Sequence, residues 1–152
     1  MEKVKTIETP QERLELARRY LENAREMLKK AGIDRRRGAY MDLKYISEAS
    51  GTAYLASLEA LKALFMQIKN WDVEKVHRET KDISSYRKIL KNLPTGKDRD
   101  LLQGFLNDVY DLLHLGGYYT ELQDKKAIDS GFEKVEKIIK IVEKYVKSKS
   151  TE

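Results

Sequence analysis

The stretch AYMDLKYISEASGTAYLASLEALKALFMQIK, residues 39–69, is the longest segment of the chain with apolar side chains at helical spacing. Residues three, four or seven apart lie on the same side of a helix. The stretch has two such faces, which predicts a helix buried between neighbours at the centre of the fold. One face is Leu43, Ser50, Tyr54, Ser57, Leu61, Leu64 and Ile68, and the other is Ile46, Ala49, Ala53, Ala56, Ala60 and Ala63.

The second face consists almost entirely of alanine, so we expect another helix to approach it closely. Gly51 lies inside the same helix, where a glycine costs about 1 kcal/mol relative to alanine. A glycine at this position predicts close packing, with the backbone approached directly.

Helices are also predicted before and after this central segment. Thr9, Pro10 and Glu12 match a capping box with proline at the first helical position, which predicts a helix from Pro10 to Gly32. A basic linker at residues 33–38 follows it. The helix has apolar side chains three or four residues apart, which predicts a second buried helix that can pack on the central one: Leu14, Ala17, Leu21, Ala24, Leu28 and Ala31.

Downstream of the central segment, the sequence predicts a loop and then a short helix at residues 82–93. Asp98 is placed to cap the next helix, which should end at Gly116 and Gly117. A last helix should cover residues 126–146. Strand alternation is absent, so we expect an all-α fold, an up-and-down bundle of about five helices.

The length of 152 residues fits one domain, and we expect residues 1–8 and 147–152 to fray. The chain has no cysteine, which excludes disulfides and thiolate chemistry and fits a cytoplasmic location. We expect no signal peptide and no membrane span, because no run of about 18 apolar residues occurs. The net charge of +5 is spread over interleaved acidic and basic residues, as on solvated helix faces.

The last helix carries more apolar side chains than one neighbour needs. Ile138, Ile141 and Tyr145 lie beside its main stripe. Together with the alanine face, this surplus predicts a homodimer.

Two quoted segments suggest a family. YLENAREMLKKAG and ASGTAYLASLEALKALF resemble the first two helices of HEPN-domain proteins (higher eukaryote and prokaryote nucleotide-binding), over roughly residues 14–68. The later text, YDLLHLGGYYTEL and IDSGFEKVEKIIKIV, is similar to an uncharacterised bacterial branch with this architecture. The resemblance implies a compact helical bundle and dimerisation.

The resemblance also brings a test for ribonuclease activity. Active members of that family carry an arginine, four to six arbitrary residues and then a histidine. Before His114 the corresponding positions are Asn107, Asp108 and Val109, and before His77 they are Asn70, Trp71 and Asp72. Because no arginine stands at either place, the sequence argues against that chemistry.

The stretch LLHLGGYYTEL, residues 112–122, holds the main chemical candidate. On a helix, Asp111 and His114 share a polar strip with Gln103, Asn107 and Tyr110, and an Asp-His pair can orient an imidazole as a general base. The alternative is a helix end. His114 then meets the last carbonyls, and the two glycines supply the left-handed turn.

In the helix-end interpretation, Tyr118 and Tyr119 are loop residues that pack on the bundle or face a partner. A hydrolase would still need a nucleophile, an oxyanion site or a metal beside His114, and the sequence marks none. Glu74 and His77 have the spacing of one di-iron ligand pair, but such sites use two pairs. We therefore expect no metal and no cofactor.

A second candidate is the basic patch Lys29, Lys30, Arg35, Arg36 and Arg37. These cations could neutralise phosphates, and Tyr40 could stack on an exposed base. The alternative is a solvated turn whose cations meet the carbonyl end of the first helix.

Taken together, the residues favour a non-catalytic HEPN-like interaction module that binds a protein partner or nucleic acid. The binding candidates are Tyr110, Tyr118, Tyr119, Arg35, Arg36 and Arg37. The alternative hypothesis is a cryptic nuclease that uses Asp108, Asp111 and His114 at a dimer cleft.

Overall fold

The computed structural model describes residues 6–147, so most of the two predicted frayed ends lies outside the described residues. Within this range the chain forms six α-helices, one π-helical segment and one two-stranded hairpin, which confirms the predicted all-α class. The elements are α1 Pro10–Lys30, β1 Ile33–Asp34, β2 Ala39–Tyr40, α2 Leu43–Lys69, α3 Val73–Glu79, α4 Ile83–Lys91, α5 Lys97–Val109, the π segment Tyr110–Tyr119 and α6 Lys125–Tyr145. None of these helices is long and apolar enough to cross a membrane.

The first helix begins where the capping box predicts. The Thr9 hydroxyl accepts a hydrogen bond from the Glu12 backbone N–H at 3.1 Å, and the Glu12 carboxylate accepts one from the Thr9 N–H at 3.0 Å. Two otherwise unpaired donors at the start of α1 are thereby satisfied. The helix ends at Lys30, and Gly32 follows with a φ of +71°.

The central helix α2 packs against α1, α6 and the π segment. Both of its predicted faces are buried, apart from Leu43, which is exposed, and Ile68, which is partly exposed. The alanine face is completely inaccessible to solvent, as are Ala17 and Ala24 of α1. The small side chains therefore allow the closest helix approach, as the sequence predicts.

Two predicted features near the first helices are wrong. The start of α2 lies at Leu43 instead of residue 39, because the Asp42 carboxylate caps it by accepting from the Lys44 N–H at 3.0 Å. Residues 33–38 are part of a hairpin instead of a plain linker, with Ile33 paired to Tyr40. Strand alternation cannot reveal two strands of two residues each.

The helix count also differs, because α3 occupies a segment predicted to be a loop. Its only fully buried side chain is Val76, so it has no apolar periodicity to detect. The helix is instead started by a cap, in which Asp72 accepts from the Lys75 N–H at 2.8 Å.

The predicted cap of α5 is wrong as well. Gly96, with a φ of +56°, stands at the cap position and offers no side chain. Asp98 instead accepts a hydrogen bond from the Tyr145 hydroxyl at 2.5 Å and pairs with Lys144 at 3.0 Å. These contacts lower the pKa of the Asp98 carboxyl, the Tyr145 hydrogen bond most strongly, and they join α5 to the end of α6.

The apolar surplus of α6 is used inside the chain. Ile138 is fully buried and Ile141 is nearly so, and α6 packs on α5 and α2. The alanine face is likewise covered by α1. The homodimer therefore stays a prediction, and neither surface on which it was based is open to a second copy.

We expect Ala53→Leu and Ala56→Leu each to lower the free energy of unfolding by about 1 to 3 kcal/mol. Both alanines have no exposed surface, so the added atoms must push α1 away from α2. Urea unfolding followed by circular dichroism measures the loss. Unchanged stability in both variants would mean that the two helices do not meet at these positions.

Candidate functional site

The sequence predicts that the helix ends at Gly116 and Gly117, and this prediction is wrong. The chain continues through both glycines in a π-helix that ends at Tyr119. Neither glycine has a positive φ. The left-handed residue is Glu121, with a φ of +59°, and the Leu122 N–H donates to the Gly116 carbonyl at 3.0 Å. The hydrogen bonds of a π-helix join residues i and i+5, and such helical turns are rare and often mark functional sites.

Close packing accompanies the π segment. A side chain at Gly117 would place its Cβ 2.1 Å from the Ser50 hydroxyl of α2, and one at Gly131 of α6 would place it 2.6 Å from Leu113. The two glycines let α2 and α6 approach the segment from different sides. The missing side chains thus serve packing, where the sequence suggested a turn.

His114 lies in the middle of this segment, not at a helix end. Its ring stacks on the ring of Tyr54 from α2, with 4.4 Å between centroids and 23° between planes. Tyr110, Tyr118 and Tyr119 lie at centroid distances of 5.1, 6.2 and 5.2 Å from it. Four tyrosines therefore surround one histidine.

All of these rings except that of Tyr110 line an open cleft of about 540 Å³ between α2, α1 and the π segment. We call it the aromatic cleft. Its lining comprises Met27, Ser47, Glu48, Gly51, Thr52, Tyr54, Leu55, His114, Tyr118 and Tyr119. The close packing predicted at Gly51 is present, since a Cβ there would lie 3.2 Å from the Tyr118 ring.

Burial shifts the pKa values of two lining groups toward their neutral forms. It lowers the pKa of His114 below its usual 6.5, and together with the neighbouring Tyr110 it raises the pKa of Tyr54 to about 12. The cleft therefore presents an uncharged imidazole and an uncharged phenol at neutral pH.

The carboxylates of the predicted catalytic group lie outside this ring cluster. Asp108 and Asp111 are both exposed, and within the described residues neither donates to nor accepts from His114 in a hydrogen bond. The contacts of the His114 ring are with tyrosines instead. The three candidates are thus near one another in sequence without forming an acid–base pair.

The other three residues of the predicted polar strip, Gln103, Asn107 and Tyr110, contact an arginine that the sequence analysis did not single out. Arg87 of α4 donates to Asn107 at 3.1 Å and places its guanidinium 5.1 Å from the Tyr110 ring centre. Gln103 donates to the Arg87 carbonyl at 2.8 Å. The sequence contains no signal for this contact, because α4 and α5 are brought together only by folding.

The basic candidates lie elsewhere. Arg35, Arg36 and Arg37 are exposed in the turn between β1 and β2, where Asp34 accepts from the Arg36 and Arg37 N–H groups. None of the three lines the aromatic cleft. Exposed cations in a turn fit both interpretations of the basic patch, so its role stays a prediction.

Tyr40, the predicted stacking residue, exposes little of its ring. Tyr40 is buried, and its hydroxyl donates to Asp129, which also pairs with Lys125 at 2.6 Å. With 6% of its surface exposed, the ring offers little area to a base, and stacking by Tyr40 stays a prediction.

We expect the free energy of unfolding to fall as the pH drops below about 6.5, the usual pKa of histidine. Because burial lowers the pKa of His114, the unfolded chain takes up its proton first, and acid therefore favours unfolding. The loss should be complete below the lowered pKa of the folded state. His77, whose pKa burial and nearby Lys62 also lower, contributes a second part.

Urea unfolding at pH 7.5 and at lower pH measures this effect, and NMR titration of the two imidazoles assigns it. His114→Phe keeps a flat ring against Tyr54 and removes the titrating group. That variant should show a smaller loss than the wild type. An identical loss would mean that His114 titrates like a solvent-exposed histidine.

Three comparisons place the chain among known proteins. A family model described as "Domain of unknown function (DUF5618)" matches residues 12–144. A solved structure of a protein of unknown function from Dyadobacter fermentans is 32% identical, with a TM-score of 0.70, over 90% of this chain and 97% of that one. The search of curated proteins found no match. With the family model covering most of its length, the chain belongs to the DUF5618 family of domains of unknown function.

Proposed function

We propose that the protein is a non-catalytic interaction module that binds a partner protein through the aromatic cleft. The observation that carries this proposal is the open ring cluster around His114. Tyr118 is 48% exposed and Tyr119 is 63% exposed, and Leu55 beside them is 48% exposed. Large apolar and aromatic side chains in one concave surface are typical of binding sites.

The neighbours of His114 support binding over catalysis. A catalytic histidine is normally oriented by a carboxylate or a carbonyl on one ring nitrogen. Here the imidazole has Tyr54 stacked on its face and tyrosines around it. Such a ring contributes contact surface to a ligand. The π segment carries His114, Tyr118 and Tyr119, and all three line the same cleft.

The kind of partner follows from the surface of the cleft. Tyrosine is enriched at the energetic centres of protein interfaces, because it combines a large apolar ring with a hydroxyl. The cations that could bind phosphates, Arg35, Arg36 and Arg37, lie outside the lining. We therefore favour a protein partner over nucleic acid. The HEPN-like relationship belongs to the same proposal, and the missing ribonuclease arginine agrees with a binding role. A homodimer is a separate proposal, and it would need a surface other than the alanine face and the apolar side of α6.

Copurification from the native host with matched variants tests the proposal. A tagged wild-type chain should retain a partner that Tyr119→Ala loses, while Leu101→Ala, which changes a leucine of α5 that is 47% exposed, should retain it. Both variants should keep the circular dichroism spectrum. If Tyr119→Ala and the wild type retain the same proteins, the aromatic cleft is not the binding site.

Two further measurements address the alternatives. If the wild type cleaves RNA, and His114→Ala abolishes the cleavage with an unchanged Tm, the nuclease hypothesis with Asp108, Asp111 and His114 replaces the proposal. Sedimentation at micromolar concentration decides the homodimer, since a monomer has a mass of 17.7 kDa.

A further inference from the structure

The ring cluster presents aromatic faces in two perpendicular directions. The rings of His114 and Tyr118 are nearly parallel, at 9°, and the Tyr119 ring stands at 87° and 83° to them. The faces of aromatic rings carry partial negative charge, so a cation gains from each face that it meets. Perpendicular walls allow one group to touch more than one ring.

One end of the cluster already contacts a cation from the chain itself. The Arg87 guanidinium lies 5.1 Å from the centre of the Tyr110 ring, and Tyr110 in turn contacts Tyr54 and His114. At the opposite end, Tyr118 and Tyr119 have no lysine or arginine over their rings among residues 6–147. The exposed end therefore has the same kind of surface without the cation.

The charge of the lining matches a cationic ligand. Glu48 is its only carboxylate, and the lining contains no lysine or arginine. Glu48 is exposed and forms no ion pair or hydrogen bond within the described part of the chain. The lowered pKa of His114 keeps that ring neutral, so it does not repel a cation at neutral pH.

We propose that the aromatic cleft binds an arginine side chain of the partner protein, whose guanidinium meets the rings of Tyr118 and Tyr119 and pairs with the carboxylate of Glu48. This inference rests on the proposed function and names the chemistry that the cleft recognises. A guanidinium is planar, weakly hydrated and able to stack on rings while it donates in the fork geometry that a carboxylate accepts. Arginine is also enriched among the residues that dominate interface energies.

A nucleobase fits this lining less well. Bases stack on tyrosines, but the phosphate attached to them would meet Glu48 and no lining cation. A second copy of the chain is disfavoured by the same carboxylate unless it brings an arginine of its own. Both occupants are distinguishable outcomes of the experiment below.

NMR titration of the full chain with N-acetyl-arginine amide tests the inference. The imidazole signals of His114 should shift and saturate in the millimolar range, and those of His77, on α3, should stay in place as an internal control. The matched probe is N-acetyl-citrulline amide, which has the shape of arginine without the charge. It should bind roughly fivefold more weakly or show no saturation.

Variants identify the groups responsible. Glu48→Gln should weaken arginine binding roughly threefold, while Glu79→Gln, the same change at an exposed site on α3, should not. Tyr119→Leu keeps an apolar side chain and removes the ring face, so it should also weaken binding. Equal binding of arginine and citrulline, or equal binding by the two glutamate variants, overturns the inference.

Three other results would also overturn it, each in favour of a different occupant. If Nα-acetyl-lysine amide, which keeps its side-chain ammonium, binds as tightly as the arginine probe, the cleft is a general cation site. Adenosine monophosphate shifting His114 while arginine does not would indicate nucleic acid. Self-association that Tyr119→Leu abolishes would indicate a second copy. If arginine fails to bind but Tyr119→Ala still loses the partner, the proposed function stands without this inference.

Discussion

Gly117→Val is expected to lower the free energy of unfolding by about 3 kcal/mol or more, which is the largest effect of any single change considered. A Cβ at this position would lie 2.1 Å from the Ser50 hydroxyl, 2.6 Å from the Ser50 Cβ and 3.1 Å from Ile128. The Ser50 hydroxyl can rotate away, but the Ser50 Cβ is fixed to the backbone of α2, so α2 and the π segment must separate. Because Val is branched at Cβ, it adds further atoms at the point of closest approach.

Gly104→Ala is the matched control. This glycine lies inside α5, and a Cβ there would have no neighbour within 4 Å. Alanine should stabilise the helix by about 0.5 to 1 kcal/mol, since glycine loses more backbone entropy on folding. Urea unfolding of both variants separates packing from backbone effects. A loss below about 1 kcal/mol for Gly117→Val would contradict the close contact with Ser50.

A compensating change tests the contact between Gly117 and Ser50 if Gly117→Val does not fold. In Gly117→Ala the clash is with Ser50, so the additional change Ser50→Gly should restore part of the stability. The Ser50 hydroxyl is buried without a hydrogen-bond partner among the described residues, so removing it breaks no hydrogen bond. A double-mutant cycle should give a favourable coupling of about 1 kcal/mol or more. Additive effects would place the clash elsewhere.

Arg13→Met is expected to cost about 3 kcal/mol through the loss of a buried ion pair. The Arg13 guanidinium lies 2.6 Å from the Glu59 carboxylate, and the two side chains are only 6% and 10% exposed. Methionine fills the space but leaves Glu59 without its closest cation in the interior. Lys62, at 3.3 Å, still partly balances the charge, which keeps the expected loss at the lower end for such pairs.

Two further variants test whether the loss of stability comes from leaving a buried charge without its partner. Arg13→Met combined with Glu59→Leu removes both ions and should recover part of the loss, because the charge that then lacks its partner, Lys62, is 17% exposed and less buried than Glu59. Arg25→Met is the exposed control on the same helix. Its partner Glu136 lies 2.5 Å away with both side chains 45% exposed, so we expect a loss of less than about 1 kcal/mol. Similar losses at Arg13 and Arg25 would mean that burial of the pair does not matter.

Much of the fold could be predicted because helix boundaries depend on contacts a few residues apart. Thr9 and Glu12 sit three positions apart and cap α1 as the sequence indicates. α6, predicted at residues 126–146, is observed at Lys125–Tyr145. Apolar periodicity likewise identifies the buried faces of α2. Where periodicity was too short to read, as in α3 and the β1–β2 hairpin, the prediction failed.

The contacts within the candidate site could be predicted only in small part. The sequence draws attention to His114 and to Tyr118 and Tyr119, and these residues do line one cleft. It does not indicate Tyr54, which the apolar pattern assigns to the core, or Arg87, which follows a core tyrosine on another helix. The apolar pattern shows that a side chain is buried without showing which residue it meets.

The sequence by itself therefore determined the class of the fold, the buried faces of its long helices and the absence of the ribonuclease arginine. Only the tertiary structure decided that the chain passes Gly116 and Gly117 as a π-helix. An i→i+5 turn is rare, and neither apolar spacing nor capping residues signal it in the sequence. Packing accompanies it instead, with Gly117 against Ser50 and Leu113 against Gly131, both contacts between residues far apart in sequence. The same packing places Tyr54 on His114 and creates the aromatic cleft.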